Sequence, residues 1–317
     1  MARPSALRAL AGAVVATVLV GAAARVQAVR ELRYPEPPAT KESLYLTSGT
    51  TVRRLSVGYS MLAADLYWIR AIQYYGGTRI RLDQQAAGHT QSVPAAGRDF
   101  DLLYPLLDLT TTLDPRFNIA YRFGAIFLAE PSPGGAGRPD LAIALLEKGL
   151  RERPDEWEYM QDIGFVNYWW RHDYQEAAKW FDKASQAPDA PWFLRSLAAV
   201  TLVEGGDRQS SRTMWLTIRQ SAELDWLRND ADRRLQQLDA LDLIDAVQRA
   251  IDAAAPRTGK LTKWSELTRA GVLRGVPVDP AGVPLGIDDE ARVHLAVMSP
   301  LYPLPLEPQS GPASHQQ

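Results

Sequence analysis

The 317-residue chain contains no cysteine. That absence excludes disulfides, zinc knuckles, thiolate catalysis, iron–sulfur clusters and lipid attachment through Cys. Histidine is scarce too: His89, His172, His294 and His315 are too scattered to read as a ligand set. Neither sign of charge dominates, because 35 basic against 37 acidic side chains leave a net charge of -2. No basic stripe is available to displace counterions, so a nucleic-acid partner is not expected. Short catalytic signatures are missing as well: there is no G-x-S-x-G elbow, no H-E-x-x-H, no P-loop and no dinucleotide glycine pattern. Glu152, Asp155, Glu156 and Glu158 cluster where a helix begins, and negative charge there favours the exposed amides rather than marking a general acid–base pair. The chain is therefore read as a non-enzyme without cofactor or metal.

Apolar residues make up 46% of the chain, and 9 Trp, 12 Tyr and 7 Phe supply bulky filling for a core. Residues 1–28 place Arg3 and Arg8 before sixteen uncharged, mostly apolar residues that end before Arg25. This reads as an export signal. Its length lies between a cleavable h-region and a spanning helix, and Val26-Gln27-Ala28 offers a small-residue cleavage site. Cleavage and retention as an anchor both stand, and either places the rest on the periplasmic side of a bacterial inner membrane. Without residues 1–28 the formal charge falls to -5, because three arginines leave with them. An exported part of that charge is not expected to seek anionic headgroups.

Residues 29–54, with the Pro-rich YPEPPATKES, read as a linker. From Leu55 to Tyr75 apolar residues keep helical spacing, and Gly76-Gly77 reads as the stop. Beyond residue 100 a helical self-similarity appears. Ala142, Leu146, Gly149 and Pro154 follow one another at offsets of 4, 3 and 5, preceded by Phe123-Gly124 and Phe127. The next unit has Ile163-Gly164, Asp173-Tyr174, Ala177, Phe181 and Ala184. A degenerate third has Ala198-Ala199, Leu202, Gly206-Asp207, Ser211, Trp215 and Ile218, and Leu103, Leu107 and Pro115 match a lone second helix upstream.

This pattern resembles the tetratricopeptide repeat (TPR) family over roughly 120 of the 317 residues. The resemblance implies an all-α fold: a right-handed α-solenoid of about 3–4 helix pairs over residues 55–222. A helix or helix pair at 223–255, with Leu227, Leu235, Leu238, Leu241, Ile244, Val247 and Ile251 at threes and fours, would cap its open end. The turn between the helices of the second unit is one residue longer than the family's.

Residues 256–298 read as a short helix, a Pro/Gly-rich loop and a hairpin, with strands at Val283–Ile287 and Arg292–Val297 around Asp288-Asp289-Glu290-Ala291. Gly271, Leu273, Pro277, Asp279, Pro280, Gly282 and Pro284 resemble the end of type II secretion major pseudopilins. Ala281 and Leu285 depart from that family's aromatics, so a small borrowed module is implied and not a pseudopilin. Asp279, Asp288 and Asp289 could offer hard oxygens to calcium, but their spacing is not that of an EF-hand. Residues 299–317 read as a disordered tail, with a short docking motif as the alternative.

The resemblance also implies where a ligand would lie, because such stacks line their concave face with fixed positions of each first helix. Carried onto this chain, those are Asn118, Tyr121 and Leu128, then Glu158, Gln161, Phe165, Tyr168 and Trp169, then Phe193, Ser196 and Val200. The groove would be aromatic and nearly neutral. Some family members clamp a terminal carboxylate with Lys and Asn, but Tyr121/Ala125, Gln161/Phe165 and Ser196/Val200 depart from that pair. Apolar or aromatic peptide segments, or a helix, fit better. The alternative is that these aromatics are core, packing against Tyr67, Trp68, Tyr74 and Tyr75 of the first helix or against the capping helix. The implied function is a scaffold that assembles an envelope complex of pilus, secretion or transporter type. A soluble periplasmic peptide-binding or chaperone-like module is the second reading. The oligomeric state is not legible.

Overall fold

The computed structural model describes residues 17–26, 29, 30, 33, 49–56, 58–87 and 99–308. The chain divides into two units, 1–45 and 46–317. In the first, residues 17–26 are helical and exposed. Most of the expected export segment lies outside the described residues, and among those described no helix is long and apolar enough to cross a membrane.

The second unit is predominantly helical. In chain order it comprises α1 (Gly49–Leu55), α2 (Ser60–Ala86), α3 (Leu103–Leu113), α4 (Asn118–Ala129), α5 (Pro139–Glu152), α6 (Trp157–Val166), α7 (Tyr174–Ser185), α8 (Phe193–Glu204), α9 (Arg208–Ser221), α10 (Asp225–Thr258) and α11 (Trp264–Arg269). A single hairpin follows, β1 (Gly286–Ile287) and β2 (Val293–His294).

Local chemistry sets these starts. Pro139 opens α5 with Asp140 in its first turn. Asp173 caps α7 by accepting from the Glu176 amide at 3.0 Å, and Asp207 caps α9 through Ser210 at 2.9 Å. From α3 to α10 each helix packs mainly on its neighbours in sequence, with α4 also touching α6 and α3 touching α5. Small residues sit where these helices cross. A Cβ on Gly149 would stand 2.7 Å from the Tyr159 ring, and one on Gly164 would collide with Phe181. Glycine there lets large rings close the gap at the next layer. Buried residues accordingly form consecutive clusters, from Met160, Ala184 and Leu194, through Ala177, Phe181, Ala198 and Leu202, to Ala199, Trp215, Ile218, Leu235 and Leu238.

Three expectations are corrected. The first long helix does not stop at Gly76-Gly77 but runs on to Ala86. Each glycine costs about 1 kcal/mol against alanine, and packing offsets that: Ala71 and Thr78 are buried on either side, and Tyr74 and Tyr75 donate to the carbonyls of Asp99 and Gly134 at 2.9 and 2.7 Å. Part of the expected linker is α1, anchored on α3 by the buried Val52. The strands are shorter than the sequence implies, two residues each, with Ile287 opposite Val293. The hairpin is packed on α10. Gln248 of α10 accepts from the Val293 amide at 2.8 Å and donates to the Ala291 carbonyl at 3.2 Å, and Leu285, Val293 and Leu295 share a core with Val247 and Ile251.

The largest correction is the tail. Residues 299–308 are seated on the helices rather than free. Prolines remove amide donors but leave carbonyls, and α10 supplies the donors. The fully buried Gln237 gives its Nε2 to the carbonyls of Leu301 and Pro303, both at 2.8 Å, and Arg233 reaches those of Pro300 and Tyr302 at 3.2 Å. Leu301 is buried, and Arg208 of α9 holds the Glu307 carboxylate in a two-pronged pair. Residues 309–317 lie outside the described residues.

Candidate functional site

α6 turns Tyr159, Met160, Ile163 and Val166 inward and leaves Glu158, Gln161, Asp162 and Phe165 partly exposed. It then widens into a π-helical turn, Asn167–Arg171, before His172 reverses the chain in the left-handed region (φ 52°). A π turn holds one residue more than an α turn and is found mostly at functional positions. Beneath it Asn167 is buried, donating Nδ2 to the Ile163 carbonyl at 2.9 Å while its Oδ1 is enclosed without a partner.

The turn gathers aromatic rings. Phe165 stacks on Trp169 with centroids 4.5 Å apart and planes 9° apart, and meets Phe181 edge-on at 5.0 Å. Trp170 and Tyr168 each approach Trp169 edge-on, at 5.9 and 6.1 Å. Trp169 is 53% exposed even so. Tyr168 donates its hydroxyl to Glu204 Oε2 at 2.5 Å, tying the turn to the end of α8. Burial, reinforced by that carboxylate, pushes the phenol up to about 12.

The adjoining charges are internally paired. Arg122 of α4 grips Asp162 with Nε and Nη2 at 2.6 and 3.2 Å and stands 3.7 Å from Glu158. Burial raises the Asp162 carboxyl while Arg122 opposes it. At the start of α6, burial pushes the Glu156 carboxyl up to about 7, with Glu158 adding to the rise and the paired Arg153 opposing.

The expected groove residues therefore separate. Phe165, Tyr168 and Trp169 come together. Glu158 lies beside them in the Arg122 pair, and Gln161 is partly covered with its Oε1 enclosed and unpartnered. Tyr121 is corrected to core: it is fully buried, 5.1 Å from the Tyr159 ring. Leu128 is buried as well, and Asn118 has its Oδ1 enclosed. The reason is rotation about the helix axis, since α4 presents Ile119, Phe123 and Ile126 outward instead. The core alternative holds there in part. Trp68 of α2 packs on Phe117 and Phe127 at 5.9 and 6.5 Å, and Tyr75 stacks on Phe127 at 4.0 Å.

Phe193 is exposed but belongs to a second cluster, edge-on to Trp192, which meets Trp226 at 4.8 Å. It begins α8, whereas Glu204 ends it, so about 16 Å of helix separates Phe193 from the Tyr168 contact. Ser196 and Val200 between them are partly buried, Val200 against the α9–α10 core. Trp170, Trp192, Trp226 and the Arg122–Asp162 pair were not legible as site residues, although the runs YWW and PWF carry the signal.

Two of the three carboxylates considered for calcium, Asp279 and Asp288, are engaged locally. Asp279 Oδ1 accepts from the amides of Ala281 and Val283 at 2.9 and 2.8 Å, and its Oδ2 accepts from Ser299 at 2.5 Å. Asp288 accepts from the amides of Glu290 and Arg292. Among the described residues no group of three or more His, Asp or Glu is placed to hold a metal. No family model, curated protein or solved structure matches the chain.

Proposed function

We propose that residues 55–222 form a tetratricopeptide-type α-solenoid, capped by α10, acting as a non-enzymatic interaction scaffold on the periplasmic side of a bacterial inner membrane. It takes an apolar or aromatic segment of an envelope protein on Phe165, Tyr168 and Trp169. The neighbour-by-neighbour packing and the small residues at the crossings support the repeat reading. The extra residue in the second unit's turn is accommodated as the π turn.

The observation that carries the binding reading is Trp169, a large ring left 53% exposed on a surface whose shape Phe165 and Phe181 fix from below. Such pre-set aromatics dominate interface energies. The paired charges alongside give orientation rather than attraction.

Binding of the full chain to an array of hydrophobic and aromatic peptides tests this. Trp169→Ala should weaken the best binders roughly tenfold or more, with the fold unchanged because the ring is exposed. Equal binding by the variant would remove the proposal. If residues 1–28 are cleaved, the same surface serves a soluble periplasmic module, which the intact mass of the exported protein decides.

A further inference from the structure

We infer that α1 and α2 form a lipid-docking face, laying the outward side of α2 onto an anionic membrane surface. A helix packed on a core on one side normally turns polar residues outward. α2 does not. It buries Ala64, Ala71 and Thr78, and on the opposite side, at helical spacing, stand Tyr59, Leu62, Leu66, Ile69, Gln73 and Ile80. All five apolar members of that row are between 49% and 73% exposed. Met61 and Ile72, also exposed, widen it on one flank. A Cβ on Gly76 or Gly77 would meet nothing within 4 Å. An apolar surface this continuous marks an interface.

Charge selects the occupant. Residues 1–87 carry eleven basic and five acidic side chains, net +6, whereas residues 88–317 carry 24 and 32, net -8. The net charge of -2 thus hides a segregation, with the cationic end at the apolar helix. Within α1 and α2, Arg53, Arg54, Arg70, Arg79 and Arg81 outnumber Asp65 and Asp83, and Arg81 is also paired with Asp99 at 3.3 Å. All five arginines are exposed, and Arg70 and Arg81 flank the apolar row on its other side. An apolar strip bordered by arginines suits an anionic lipid surface, where the strip enters the acyl boundary and the guanidinium groups meet the headgroups. This revises the expectation from overall charge that anionic lipid is not a target. The inference is independent of the aromatic surface on α6.

The absence of cysteine allows a direct test. Full-length Leu66→Cys and Gln186→Cys proteins, each carrying an environment-sensitive fluorophore, are reconstituted into phosphatidylcholine/phosphatidylglycerol vesicles containing acyl-chain nitroxide lipid. The probe at position 66 should be quenched roughly twofold or more and shielded from aqueous iodide, while that at 186 is neither. Quenching at 66 should be lost in phosphatidylcholine alone. Ile69→Asp/Ile80→Asp, two changes at exposed sites, should abolish quenching at 66 with circular dichroism unchanged. Should that double variant misfold, the single-label comparison still decides. The inference is overturned if position 66 stays open to iodide in anionic vesicles, or if it is quenched equally without phosphatidylglycerol. Shielding without lipid that rises with protein concentration would also overturn it, because a second copy would then cover the face.

Discussion

α2 and α10 are the two long helices, 27 and 34 residues, and they bracket the short ones in chain order. α10 buries eight residues, among them Leu235, Leu238, Val247 and Ile251, and twelve of its residues are charged. Its outward carboxylates meet α9: Arg208 holds Asp242 and Asp245 at 2.9 and 2.7 Å, and Arg212 holds Asp239 and Asp242. α2 buries three residues, carries five charges, and faces outward with leucine and isoleucine. Exposed ion pairs contribute little to stability, about 0–1 kcal/mol each. Their value on α10 is solubility and register, whereas α2 forgoes both. One end of the helix series is finished for water and the other is built to be covered.

The sharpest way to break that comparison is to truncate one leucine on each helix. Leu238→Ala should lower the unfolding free energy by about 2–5 kcal/mol, as for a fully buried leucine, and Leu66→Ala by less than about 0.5 kcal/mol. Urea titration of both variants measures the pair. A large loss at Leu66 would mean that its face is already covered.

Gln237→Ala examines how the finished end is closed. The variant strands the buried carbonyl of Leu301 and the partly covered one of Pro303, and a stability loss of about 2 kcal/mol is expected. Proteolysis should then cut within residues 299–308 first. A resistant tail would show that Leu301 and the Arg208–Glu307 pair suffice.

That closure also shows where sequence reasoning stops. Helix existence was legible wherever apolar spacing and a cap coincide, as at Asp173 and Asp207, because both signals are local. The tail was not, because Gln237 and Arg233 lie more than sixty residues from the carbonyls they satisfy. Gly76-Gly77 misled for the same reason: Tyr75 finds its partner at Gly134, 59 residues away. At the candidate site the resemblance grouped Phe165, Tyr168 and Trp169, and these rings do contact one another. It placed Tyr121 with them too, and only the packing of Tyr159 against it shows that α4 is turned inward there.

Lys148→Met sharpens the comparison from the open end. Lys148 donates from α5 to the last turns of α3: the Asp108 carbonyl and carboxylate and the Thr112 hydroxyl at 2.7 Å, and the Thr111 hydroxyl at 3.0 Å. α1 and α2 both pack on α3. Removing the ammonium should cost about 1–2 kcal/mol, concentrated locally: hydrogen exchange should rise in α1–α3 and stay unchanged in α9 and α10. Uniform loosening would mean that the two ends unfold as one.

The smallest effect is expected midway, at Glu156, where a carboxylate is paired with Arg153 yet pushed up to about 7 by burial and by Glu158. A raised carboxyl favours the protonated folded state. Its contribution is fully present below its ordinary value of 4.5 and fades as pH rises through about 7. Glu156→Gln mimics the protonated form, so relative to the native chain it should gain stability at pH 8 and nothing below pH 4. The loss of the Arg153 pair limits that gain to about 1 kcal/mol or less. If Glu156→Gln instead loses stability at pH 8, the Arg153 pair outweighs burial, and the middle of the chain stabilises its charges as the α9–α10 end does.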